Sequence, residues 1–180
     1  MKKFIMVIAM VAIIGAGTAF ADHPDGLGIG VQWGGSGGWD GGFGPQLGAT
    51  LSLKVPALPV YWAIDVSIHS DYFGLGVSGD VYFIDSALVP SIGLNWYLGF
   101  GVGVGLGFFN SNYAGNDVLW LGLSARLPVG LSLQLPLNAG PLNAFEIYLQ
   151  LVPSIGVKVA PEFHFPYGGW GFDLGIRLWL

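Results

Sequence analysis

Residues 91–109 read SIGLNWYLGFGVGVGLGFF. Taken two at a time, Ile92, Leu94, Trp96, Leu98, Phe100, Val102, Val104, Leu106 and Phe108 fall on one side. Gly93, Asn95, Tyr97, Gly99, Gly101, Gly103, Gly105 and Gly107 fall on the other. A period of two is that of a β-strand, whose successive side chains point to opposite faces. Six glycines make a helix costly here, because each destabilises a helix interior by about 1 kcal/mol relative to alanine. A closed sheet accepts them where its inner surface is crowded. The stretch therefore predicts a strand that is apolar on one face and small and polar on the other.

The same design continues on both sides of it. Upstream, alternating strands are predicted over Leu27 to Trp33, Pro45 to Val55, Val60 to His69 and Tyr72 to Ile84. Downstream they run over Leu119 to Leu127, continuing past a bulge at Pro128 to Leu135, then Phe145 to Leu151 and Gly169 to Leu180. Gly34 to Gly44, Asn110 to Asp117 and Lys158 to Gly168 read as external loops, with a brief connection at Ser70 and Asp71. Pro56 to Pro59, Asp85 to Pro90 and Pro136 to Ala144 read as the opposite turns. Strands of about ten residues suffice to cross a bilayer when tilted. With an even number of strands both ends lie on one side. The expected fold is all-β, an eight-stranded antiparallel up-and-down transmembrane β-barrel.

Residues 1–21 have a separate purpose. Lys2 and Lys3 precede the apolar run Phe4 to Ile14, and Ala19-Phe20-Ala21 offers a small-residue cleavage site, the pattern of a secretory signal peptide. The run is short for an uncleaved anchor. The domain then spans residues 22–180, with four basic residues against eleven acidic ones. That balance argues against nucleic acid as a partner. Without cysteine the chain forms no disulfide and carries no N-terminal lipidated cysteine. Hydrophobic residues make up 53% and charged residues only 9%, which favours a membrane class. Beyond the leader, the single uncharged stretch of spanning length is the glycine-alternating one, so a barrel replaces a helical bundle as the way to satisfy the backbone in lipid.

The two parities differ in chemistry. Trp33, Trp62, Phe73, Trp96, Phe108, Phe145 and Trp170 share the apolar parity near strand ends and read as interfacial aromatic girdles. Lys54, Asp65, Asp80, Arg126, Glu146, Asp173 and Arg177 share the other parity and form a predicted polar network inside the barrel, with Arg126 and Glu146 the expected pair. A soluble calycin-like barrel also alternates, but its exterior would carry Lys and Glu, whereas the polar parity here is mostly Gly, Ser, Thr, Gln, Asn and Tyr. The inward glycines leave room for Tyr61, Tyr82, Tyr97, Tyr148 and Trp120 to fold over them, or for a narrow water path.

On this leader, alternation and closing strand, the chain resembles small single-domain outer-membrane barrels of the OmpX and OmpA-transmembrane-domain type over Leu27 to Leu180. Locally, Arg126-Leu-Pro-Val-Gly130-Leu-Ser132, then Glu146-Ile-Tyr-Leu and Pro153, is similar to a family of small barrels of diderm bacteria, spirochaetes among them. The resemblance implies an outer-membrane location, periplasmic termini, and outer-membrane lipid and the barrel-insertion machinery as partners. That machinery usually reads a terminal aromatic residue, and this chain ends Arg177-Leu-Trp179-Leu180.

No cofactor, metal or catalytic residue is expected. His69 beside Ser70, with Asp71, is the sole local arrangement with the makings of a base and a hydroxyl, yet strand neighbours point to opposite faces and the His-x-Ser-Asn pattern of barrel deacylases is absent. His23 and His164 read as isolated surface residues. Gly74-Leu-Gly76-Val-Ser-Gly79 spells a dinucleotide fingerprint but continues as strand where that fingerprint needs a helix. The expected role is structural or surface-interacting through the external loops. A small-solute channel is the alternative, and a lipid-modifying enzyme comes third.

Overall fold

The computed structural model describes residues 23, 24, 26–39, 41–45, 48–69, 72–109 and 118–180. Ten strands follow in order: β1 (Gly28–Gly38), β2 (Gly41–Pro45), β3 (Gly48–Lys54), β4 (Tyr61–His69), β5 (Tyr72–Val89), β6 (Leu94–Phe109), β7 (Val118–Arg126), β8 (Val129–Ala139), β9 (Leu142–Ala160) and β10 (His164–Trp179). All pairings are antiparallel. β2 and β3 lie along the same side of β1, and β7 and β8 divide one pass between the two ends of β6 and β9. The ring therefore has eight passes. β1 and β10 close it over eleven residue pairs, from Gly28 opposite Trp179 to Gly38 opposite Gly169. Leu27 and Leu180 extend the seam with reciprocal backbone bonds of 3.1 and 2.9 Å.

Closure removes every open sheet edge, and the residue pattern decides which side is out. Among the described strand residues, no Asp, Glu, Lys or Arg sits on the outward parity. Val102, at 61% exposed, and Ile68, at 67%, show how completely aliphatic side chains cover the outside. Such a surface suits hydrocarbon and would be a liability in water. Among the described residues no helix is long and apolar enough to cross a membrane.

Several connections are shorter than the sequence suggested. Within the stretch expected as a loop, Gly34 to Gly38 and Gly41 to Gly44 are strand, β1 and β2 pairing up to Gly38 opposite Gly41. Lys158 to Gly168 is likewise mostly strand, with 161–163 joining β9 to β10. β5 continues to Val89 where a turn was expected from Asp85, and Pro90–Ile92 forms a single 3-10 turn. Gly93 ends that turn at φ 70°, a left-handed conformation natural to glycine. The pass from β7 to β8 breaks at Leu127 and Pro128, as the proline requires. The Gly99 N–H donates to the Pro128 carbonyl at 2.8 Å, and the Leu127 N–H to that of Pro153 at 2.9 Å, so the backbone stays satisfied.

Candidate functional site

The lumen is built by residues reaching over glycines. Asp80 and Arg126 both pair with Gly101 from opposite sides, and their side chains meet above it at 2.9 Å. Tyr97 and Gln150 flank Gly130 and join at 3.1 Å. Tyr148 and Gln32 flank Gly175 and join at 2.8 Å. Arg177 and Ser52 flank Gly30 and join at 2.8 Å. A β-carbon at Gly101 would strike the Asp80 carboxylate, and one at Gly175 the Tyr148 ring. Trp120 lies over both Gly105 and Gly122, where a β-carbon would come within 2.7 Å of its ring. The inward glycines are therefore occupied by their neighbours' side chains.

The expected network residues all lie on the inward parity. Glu146 is paired with its direct cross-strand neighbour Arg177, at 2.7 Å, and Arg126 with Asp80. The expected Arg126–Glu146 pair is not formed, because Arg126 lies opposite Ser154, well along β9 from Glu146. Asp173 accepts from Gln150 at 2.9 Å, Asp65 accepts from Thr50, and the Lys54 ammonium donates to the Val55 and Leu58 carbonyls in the adjoining turn. The girdle residues lie on the outward parity. Phe73 and Phe108 contact each other and Trp170 is next to Trp39 towards the loop end, while Trp62, Trp96 and Phe145 lie nearer the terminal end and Trp33 part-way along β1.

Two regions result. At the loop end a polar vestibule of about 840 Å³ opens among Gln32, Trp39, Asp65, Arg126, Lys158 and Asp173. A smaller recess of about 280 Å³ adjoins it beneath Trp120 and Tyr167. At the terminal end the lumen is filled. Trp179, Tyr97 and Tyr148 are 0%, 1% and 2% exposed. Tyr82 stacks between Tyr61 and Tyr97, with ring centroids 4.1 and 4.3 Å apart.

At the centre of that filling is His23, which the sequence suggested was an isolated surface residue. It is buried instead. Its Nδ1 lies 2.6 Å from Asp85 Oδ2 and its Nε2 2.9 Å from Glu146 Oε1. Glu146 also accepts from Arg177 and, at 2.8 Å, from the Trp179 indole. Burial alone would lower the His23 pKa, but the charge of Glu146 and the bonds to Asp85 and Glu146 outweigh it and raise it to about 9. Asp85 was also missed. The register shifts between Tyr82 and Ile84, so Asp85 rather than an even-numbered residue follows Tyr82 inward, opposite Tyr97. A bulge reverses the parity that a period-two reading relies on. For His23 the chain offered no local signal beyond its closeness to the first strand. His164 is exposed at the vestibule mouth. Ser70 and Asp71, suggested beside His69, lie outside the described residues, as do Asn110 to Asp117 and the leader.

No family model matches the chain, and no curated protein sequence does. Among solved structures it is similar to Neisserial surface protein A, at 12% identity, covering 86% of this chain and 96% of that one with a TM-score of 0.44.

Proposed function

We propose that the chain is an integral outer-membrane protein, with both termini at the periplasmic face once residues 1–21 are removed, and that it acts at its outer end rather than as a through-pore. The single observation that carries this reading is the contrast along the lumen: an open polar vestibule at the loop end above a terminal half sealed by Tyr97, Tyr148, Trp179 and the His23 cluster. An eight-stranded interior is just wide enough for side chains to fill, and here bulky ones fill it. The apolar exterior and the secretory leader support the membrane and the compartment. The vestibule rim, with Trp39, Tyr167, Trp170, Lys158 and His164, supplies aromatic and charged contacts for a surface interaction. Membrane lipid and the insertion machinery are the partners this reading requires.

Single-channel recording of the refolded mature chain, beside a mock-refolded control, tests it. Folded protein should leave the bilayer silent. Reproducible conductance steps that change on Asp80→Asn would establish the narrow-channel reading instead.

A further inference from the structure

Among the described buried residues of the sealed half, His23 stands apart: it does not belong to the wall. It precedes β1 on a segment that turns back on itself, the Gly26 N–H donating to the Pro24 carbonyl at 2.9 Å before Leu27 joins the seam. A β-carbon at Gly26 would strike the Leu180 carbonyl. The segment thus folds under the barrel end and inserts one side chain into a cavity whose walls come from other strands. Asp85 comes from β5 and Glu146 from β9. Tyr61 of β4, Tyr82 of β5, Tyr97 of β6 and Trp179 of β10 surround the ring with centroids 5.5 to 6.0 Å away. We infer that this cavity is a binding site for a small planar organic cation, which the chain occupies with its own His23 and which an imidazolium takes when that side chain is removed.

The hydrogen bonds suit a cation. With Asp85 and Glu146 ionised, both ring nitrogens face oxygens that only accept, so both donate, and only the imidazolium has two N–H groups. Charge counting agrees. Without His23 the charged groups at the cavity are two carboxylates, Asp85 and Glu146, and one guanidinium, Arg177, with the rings of Tyr61, Tyr82, Tyr97 and Trp179 around them; Lys54 lies over the Tyr61 ring. One buried negative charge is left over, and such a charge is costly unless paired. Arg177 is already committed to Glu146 and Ser52 and stacks on Tyr61, Tyr148 and Trp179, so it does not shift to cover Asp85. Aromatic faces within about 6 Å are the usual lining of a site for organic cations. Asp85 Oδ1 is buried without a hydrogen-bond partner among the described residues, which leaves one further acceptor for an incoming N–H.

The test is chemical rescue in the refolded, otherwise intact mature chain. His23→Ala empties the site, and its urea midpoint is measured against increasing imidazole, with pyrazole as an uncharged molecule of the same size. The folding constant of H23A should rise in proportion to 1 + [imidazole]/Kd, by about tenfold at ten times the imidazole Kd. Wild type should not respond, H23A carrying Glu146→Gln should respond weakly, and pyrazole should do little. Equal rescue by pyrazole, or none by imidazole, overturns the inference. Should H23A not fold at all, His23→Cys decides, since the chain has no other thiol. Its thiol is modified in urea with an ethylammonium or an uncharged ethyl group before refolding. Higher folding yield for the cationic adduct supports the site, and equal or better yield for the neutral one refutes it.

Discussion

Replacing Glu146 by Ala is the sharpest perturbation of the sealed end. The carboxylate is 0% exposed and accepts from Arg177 at 2.7 Å, Trp179 at 2.8 Å and His23 at 2.9 Å. The cluster has two positive and two negative members, so the substitution leaves one buried positive charge in excess and strips the indole N–H of its acceptor. Removing one partner of a buried ion pair costs about 3–5 kcal/mol, and two further orphaned donors place Glu146→Ala at the upper end of that range. Urea denaturation of the protein refolded in lipid vesicles, followed by tryptophan fluorescence, reads the loss. Arg177→Ala alone should be destabilising by a similar amount. The double variant removes both charges together and should therefore be more stable than the sum of the two losses predicts, by a coupling of about 1–3 kcal/mol. Additivity within about 0.5 kcal/mol would refute the argument, because the pair would then contribute nothing as a pair.

Four other outcomes follow from the same geometry. Val102→Arg puts a charge on the most exposed part of β6 and should cost about 2–4 kcal/mol in vesicles; a neutral effect on the urea midpoint would mean that this face does not meet lipid. Gly175→Ala drives a β-carbon into the Tyr148 ring and should cost about 1–3 kcal/mol by overpacking, with the Tyr148–Gln32 bond lost. Gly140→Ala has open space around it and only its φ of 64° against it, so about 1 kcal/mol is expected in the same denaturation assay. The His23 pKa, raised from 6.5 to about 9 on folding, makes a stabilising contribution that is complete below pH 6.5 and disappears as pH rises towards 9; urea midpoints between those values should fall in wild type, by on the order of 3 kcal/mol at most, and stay flat in His23→Gln.

The path of the chain through the membrane was legible because each strand carries its own period. Val102 or Leu149 can be assigned outward from its immediate neighbours alone, and every inward glycine of β6 from the same reading. Loop lengths were less legible. Gly34 to Gly44 and Lys158 to Gly168 have the composition of loops, yet pairing with β1 and β9 holds most of both as strand. Glycine-rich segments have weak strand preference of their own, so their partners decide.

Partner choice in the lumen was a further step removed. Arg126 takes Asp80 rather than Glu146 because Gly101 stands between them and carries no side chain to keep them apart. That relation spans three strands whose register no single segment states. The bulge after Tyr82 turns Asp85 inward, and the closure of β1 on β10 sets the amino-terminal segment beneath the opening where Asp85 and Glu146 converge. Alternation is a property of neighbouring residues and so belongs to the amino-acid order. The barrel's register, the parity reversal after Tyr82 and the arrival of His23 between two carboxylates 62 and 123 residues away depend on contacts that exist only once the ring is closed.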